Sequence, residues 1–412
     1  MLDIKKPELL IPAANLDVLK TAVMYGADAI YIGGDMYGLR AKAKNFSMIE
    51  MEEGIAFAHS HGKKVFVTAN ITAHNQDLSG IRKYFKELRA FGDNRPDAII
   101  VADPGVFMIA KEELPDCERH VSTQANNTNY ETYKFWYNLG ATRVVSAREL
   151  SLKELGELRT HIPDDMEIET FVHGAMCIAY SGRCLLSNYF TGRDANLGAC
   201  THSCRWKYHI VEETRPGEYL PIEENDRGTY IFNSKDLCMI EYIPELVKAG
   251  INSFKIEGRM KTALYVATVT RTYRKAIDDF FEDSSLYEKN KAQYMEEVRK
   301  GVNRQFTTGF FFDKPSYKEQ IYDHNTYEKS YTYLGTILEE KDGLNMLIQK
   351  NKFSLGEELE VIKPDGNTLF VKVNRILDEK GIEMDSCPHP KQTIFVDFGI
   401  KLDPYDILRR KE

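Results

Sequence analysis

Four of the chain's seven cysteines fall in one stretch, VHGAMCIAYSGRCLLSNYFTGRDANLGACTHSC at residues 172–204, and a fifth follows at 238. The gaps between Cys177, Cys184, Cys200, Cys204 and Cys238 are irregular, and only Cys200 and Cys204 make a short hook. Soft thiolates at this density suit a zinc ion or an iron–sulfur cluster. Structural zinc favours two short hooks, whereas a cluster accepts ligands from several loops, and spacing alone leaves both open. Disulfides are disfavoured if the chain is cytoplasmic. That compartment is expected, because MLDIKKPELLIPAAN offers too short an apolar patch for a secretory signal and no apolar run approaches membrane-spanning length. Cys117 and Cys387 lie outside the window and read as a buried thiol and a surface or loop thiol. His173, four residues before Cys177, is a candidate proton donor or else a hydrogen-bonded core histidine.

The elements that must position these groups follow from apolar periodicity. Short β-rich runs recur at 8–14, 29–34, 64–70, 98–104, 120–126, 142–148, 167–175 and 253–259, separated by stretches with helical spacing such as NLDVLKTAVMYGA. Eight strands alternating with helices predict an α/β fold, a TIM-like (β/α)8 barrel, with a doubly wound open sheet as the competitor. No GxGxxG turn accompanies them, which favours closure. Strands seven and eight start at 167 and 253, so a Cys-rich insertion (176–250) follows strand seven. Loops after barrel strands form the mouth where barrel enzymes keep their active sites. Residues 262–277 read as the last barrel helix and 287–300 as a further charged helix. The barrel is expected to span 1–325. From 326 to 412 the pattern alternates, with a hairpin signal in PDGN (364–367), predicting a small C-terminal β-barrel.

Several motifs together resemble the collagenase-like peptidase U32 family. They are ETFVHGAMCIAYSGRCLLS (169–187), PELLIPAANLDVLKTAVMYGADAIYIGG, FNSKDLC (232–238), SFKIEGRMKTALYVATVTRTYRKAID and NRQFTTGFFF (303–312). The resemblance covers essentially residues 1–320, and the β-rich tail fits the family's longer members. YSGRCLLS, GRDANLGAC and SCRW are most similar to the members that hydroxylate tRNA. The resemblance implies oxygen-independent conversion of a wobble uridine to 5-hydroxyuridine, with prephenate as the hydroxyl source and a [4Fe-4S] cluster. It carries the ligand roles onto Cys177, Cys184, Cys200 and Cys238, with Cys204 as an alternative. The implied partners are tRNA at its anticodon stem-loop and a second U32 subunit, with no membrane.

A dicarboxylate such as prephenate needs fixed cations, and guanidinium forks suit carboxylates. Arg40 (with Lys42 and Lys44), Arg148, Arg183 and Lys255 sit at predicted strand ends or in the cysteine loop. Glu257 and Arg259, in the family-like KIEGR, join His173 as catalytic candidates. Gln124, Asn70 and Asn126 could read a base edge or a hydroxyl, and could equally cap loops. Tyr180, Phe190 and Trp206 could stack a splayed base or simply fill core. Arg193, Arg205, Lys207, Lys255, Arg259, Lys261, Arg271, Arg274 and Lys275 could line a phosphate track on a chain of net charge −8. Rival readings are a peptidase, although HExxH and GxSxG are absent, a ribosomal RNA base hydroxylase, and a non-catalytic partner of a companion subunit.

Overall fold

Eight short apolar runs become eight parallel strands. In the computed structural model, β1 (Glu8–Pro12), β2 (Ala29–Gly33), β3 (Lys64–Ala69), β4 (Ala98–Val101), β5 (Glu118–Val121), β6 (Arg143–Val145) and β7 (Glu167–Ala175) pair in sequence order. The insertion contributes β8 (Glu224–Asn225), β9 (Gly228–Thr229) and β10 (Asp236–Cys238) before β11 (Ser253–Ile256) closes the ring against both β7 and β1. The structure describes residues 5–38, 45–177, 179–181, 183–195, 199–206, 224–225, 228–229, 234–313 and 328–412.

The helices α1 (Leu16–Met24), α2 (Met48–Ser60), α3 (Asn75–Arg89), α4 (Pro104–Glu113), α5 (Tyr130–Leu139) and α6 (Leu152–His161) alternate with the strands. Their starts are written in the sequence. Ser47 with Glu50, and Ser151 with Glu154, form reciprocal capping boxes, and Asn15, Asp103 and Asn129 each accept from a first-turn N–H. After β7 come α7 (Leu186–Thr191) and α8 (Ile243–Lys248); after β11 come α9 (Ala263–Glu282), capped by Thr262, and α10 (Ser284–Arg299). The core lies between strands and helices, where Ile30, Val67, Ile99, Val144 and Ile168 are fully covered.

A short ladder extends the ring at the insertion. β10 runs antiparallel to β7, and β12 (Phe306–Thr307) adds in parallel to β10. Buried Asp236 fixes this edge by accepting from Arg304 Nη2 at 2.6 Å, Arg304 Nε at 3.0 Å and the Arg304 backbone N–H at 3.0 Å. An unpaired buried carboxylate would be costly, so the pair holds the ladder in register.

The tail forms β13 (Tyr331–Lys341), β14 (Leu344–Gln349), β15 (Glu358–Ile362), β16 (Thr368–Lys372), β17 (Arg375–Leu377), β18 (Thr393–Asp397) and β19 (Ile407–Lys411), all antiparallel. The order β16-β15-β19-β13-β14-β18-β17 leaves β16 and β17 as edges, so the expected small barrel is an open half-barrel. Register shifts within β13 at 333–335 and 337–339 bend it around one apolar core that includes Leu334, Leu347, Val361, Ile376, Val396 and Leu408. The half-barrel is bolted to the main barrel. Tyr25 Oη donates to the carbonyls of Ile362 (2.8 Å) and Tyr405 (3.0 Å), and Glu297 on α10 accepts from Arg271 at 2.5 Å and Arg409 at 2.9 Å.

Candidate functional site

The bore of the barrel is half apolar and half charged. Leu10, Ala29, Tyr31, Phe66, Ala98 and Ile100 form an apolar cluster on β1–β4. Opposite them Arg143 binds Glu8 at 2.6 Å, Glu167 at 2.6 Å and Glu169 at 3.0 Å, while Lys255 binds Glu169 at 2.6 Å. The Lys255 ammonium also lies 4.5 Å from the centre of the Tyr31 ring. Burial alone would raise the Glu169 carboxyl, but Lys255 and Arg143 outweigh it and hold it at about 2. Lys255, a substrate-binding candidate by sequence, is therefore buried in the bore and engaged by its own carboxylate. Arg143, Glu8 and Glu169 were missed by sequence reasoning. Their signal is a charged residue at alternate positions of otherwise apolar strands.

Above this network, at the C-terminal ends of the strands, three predicted residues meet. The Arg148 guanidinium stacks 4.0 Å above the Phe171 ring, its Nη1 donates to Cys177 Sγ at 3.4 Å, and its Nη2 lies 3.7 Å from Glu257 Oε2. Among the described residues its buried Nε has no hydrogen-bond partner. Arg259 reaches across the mouth, where its Nη1 donates to Thr68 Oγ1 at 3.1 Å. Gly33 makes room for that guanidinium, since a Cβ there would collide with it. Gly174, at φ +106°, lets β7 pass so close to Glu257 that any side chain would strike its carbonyl. Among the described residues the mouth thus holds the guanidinium groups of Arg148 and Arg259, the Glu257 carboxylate and the exposed Cys177 thiol.

Asn70 and Gln124 lie nearby. Asn70 Nδ2 donates to Ser122 Oγ at 3.2 Å, and the Gln124 backbone N–H donates to the same oxygen at 3.3 Å. Asn126 adopts a left-handed conformation, with its Nδ2 donating to the Gln124 carbonyl, the loop-capping arrangement. Arg40, Lys42 and Lys44 lie outside the described residues.

Cys177 stands at the mouth, whereas Cys238 lies behind the barrel wall. Cys177 is exposed at the mouth and Cys184 is half-buried beside exposed Arg183. Cys200 is exposed and accepts from Ser187 Oγ at 3.8 Å and the His202 N–H at 3.4 Å. Cys204 is half-buried in the short 3-10 turn Ser203–Arg205. Cys238 is buried on β10 opposite His173, 3.9 Å from Tyr273 Oη, and burial pushes its thiol up to about 12. The donor types suit a cluster. Yet among the described residues no group of three or more His, Cys, Asp or Glu side chains is arranged to hold a metal ion. His173 sits on the helix side of the wall with Tyr265, Tyr273 and Phe306, and burial lowers its imidazole to about 4. It is neutral near pH 7.

Other sequence expectations divide. Cys117 is buried as expected, donating to the Pro96 carbonyl. Cys387 lies in a loop, one of the two places expected for it, but is buried there rather than at the surface, between the backbone N–H and carbonyl of Phe353. Among the described residues, four of the basic residues expected in a phosphate track are paired within the fold. Arg271 is buried in the domain interface on Glu297, Arg274 pairs with Asp28, Lys275 with Asp279, and Lys255 lies in the bore. Helix periodicity explains this, because α9 turns successive cations toward different neighbours. Lys207 lies outside the described residues. Tyr180, Phe190 and Trp206 are exposed rather than core.

The sequence pattern of peptidase family U32 matches residues 14–321, and that of the family's C-terminal domain matches 329–409. The chain is 42% identical over 408 residues to tRNA hydroxylation protein P1 of Bacillus subtilis, covering 98% of this chain and 95% of that one. It is 44% identical over 309 residues to an uncharacterized protease of Methanocaldococcus jannaschii, with 74% and 73% covered. It is 37% identical over 276 residues to a 23S rRNA 5-hydroxycytidine synthase of Escherichia coli, with 67% of this chain and 40% of that one covered.

Proposed function

The chain belongs to peptidase family U32, and from that membership we propose that it hydroxylates an RNA base, namely a tRNA uridine at carbon 5 in the wobble position. One observation carries this reading: the near end-to-end likeness, at 42% identity, to a protein named for tRNA hydroxylation. The mouth supports it. Arg148 and Arg259 offer two fixed guanidinium groups, the number that a dicarboxylate hydroxyl source such as prephenate asks for. Arg183 and Arg40 are assigned to the same anion or to the RNA backbone, and Gln124 to a base edge or hydroxyl. Glu257, within reach of Arg148, is the carboxylate placed to move a proton at the mouth. His173, buried behind the wall, is assigned to holding β7 in place.

We assign a [4Fe-4S] cluster to Cys177, Cys184, Cys200 and Cys238. Cys204 is the alternative wherever Cys238 stays behind the wall with Tyr273. Such a cluster supplies electron transfer or substrate anchoring when bound. Protein purified without oxygen is expected to be brown and to contain about four iron and four sulfide per chain; colourless protein with a single zinc would remove the cluster.

The ribosomal relative favours RNA over peptide as the substrate class, and a companion U32 subunit is assigned as partner. The family name and the archaeal relative favour the peptidase reading, but Cys177 meets a guanidinium where a cysteine peptidase needs an imidazole. Nucleoside analysis of tRNA from cells lacking this chain decides between them. Loss of 5-hydroxyuridine and its derivatives is expected, and an unchanged nucleoside profile would defeat the assignment.

A further inference from the structure

Single exposed rings are ordinary on a protein surface, but contiguous apolar patches mark interaction sites. Among the described residues seven Phe, Tyr or Trp side chains are exposed, and four of them, Tyr180, Tyr189, Phe190 and Trp206, lie between β7 and β10. Tyr189 is 80% exposed and Trp206 41%. These rings are not scattered. Tyr189 and Phe190 meet edge to face at 5.0 Å between centroids, and Phe190 lies 6.1 Å from Trp206. Exposed Leu185 borders them.

The local chain holds the patch in place. Gly192, left-handed, ends α7 after a turn and a half. Buried Ser187, on the same helix, accepts from the Thr201 N–H at 3.0 Å and donates to Cys200 Sγ. The platform is thereby tied to the thiol-bearing loop. Asp194 is engaged by Asn188 Nδ2 at 2.8 Å, while Arg183 and Arg193, both exposed, stand shortly before and shortly after α7 in the sequence. Flat apolar faces with guanidinium groups at their edges match unpaired nucleobases joined by phosphates.

We propose that Tyr189, Phe190 and Trp206 form a stacking platform for unpaired RNA bases, with Arg183 and Arg193 on the adjoining phosphates. This deepens the RNA reading above and rests on it: the platform would hold the loop bases flanking the target while the barrel mouth works on the target itself. A base buried in a stem-loop must be splayed out to be modified, and stacking on protein rings offsets the lost base stacking.

The chain's two tryptophans make the test direct. Trp136 is buried, its indole N–H donating to Asn127 at 2.9 Å, whereas Trp206 is exposed. Titrating the full-length protein with an oligouridylate of about ten nucleotides should quench tryptophan emission saturably. The quench should survive Trp136→Phe and vanish in Trp206→Phe. Tyr189→Ala and Phe190→Ala should weaken binding roughly tenfold to a hundredfold. Phe190→Leu, which keeps bulk without a ring face, should weaken it as well and serves where an alanine variant melts early. Binding unchanged by these substitutions, a quench that persists in Trp206→Phe, or variants that alter only subunit number would each overturn the platform. The readout needs no hydroxylation. An unchanged tRNA nucleoside profile with an intact Trp206 quench would sink the hydroxylase reading alone, and the reverse pattern would remove only the platform.

Discussion

At the scale of single residues, Arg148 is the hinge of the candidate site, because one guanidinium touches the Phe171 ring, the Cys177 thiol and the Glu257 carboxylate. The residue types at the mouth were legible: cysteines, Arg148, Arg259 and Glu257 stand out by motif and by position at strand ends. The facing of His173 and Cys238 was not. A register shift between Lys255 and Ile256 breaks the in–out alternation of β7, so His173 turns outward to α9 instead of into the mouth. Its burial has a consequence in acid. The folded-state imidazole titrates near 4 and the unfolded one near its ordinary value, so between these pH values the unfolded chain binds the extra proton. Stability is therefore full above about pH 6.5 and falls as the pH drops toward 4, by about 3 kcal/mol from this group. Urea midpoints measured across that window should fall less steeply with acid in His173→Phe than in the native chain; an identical slope would refute the assignment.

At the scale of elements, apolar periodicity gave all eight barrel strands and the course of helices such as α1, α9 and α10, because strands covered on both faces and amphipathic helices write strong local signals. The insertion did not yield in the same way. β10 and β12 are three and two residues long, too short for a period, and their place depends on the Asp236–Arg304 pair joining positions far apart in sequence. Most of the tail's strands were visible, but β19, which joins β13 to β15, was not, and whether a curled antiparallel sheet closes depends on edge pairing between β16 and β17, which no local pattern encodes. The charged half of the bore was likewise hidden, since Glu8, Arg143, Glu169 and Lys255 come from four strands that only closure brings together.

At the scale of the whole molecule, the eight-stranded barrel carries the half-barrel and brings Arg148, Cys177, Glu257 and Arg259 to its mouth. The half-barrel is fastened through the shared carboxylate Glu297, which Arg271 and Arg409 hold at about 2 although burial alone would raise it. This buried network takes up Arg271 of α9, and Arg274 on the same helix is held by Asp28, whereas the Lys275 side chain stays half exposed. The fold supplies the frame, the mouth the guanidinium groups of Arg148 and Arg259, and the insertion exposed thiols and aromatic rings. The central claim is that RNA hydroxylation takes place at the mouth around Arg148. Cells lacking the chain, supplied with either the native protein or Arg148→Ala at equal abundance, put it to the test. The account predicts that 5-hydroxyuridine nucleosides return in bulk tRNA with the native protein and stay at least tenfold lower with the variant, as loss of one bidentate charged contact implies. Full restoration by Arg148→Ala would contradict it.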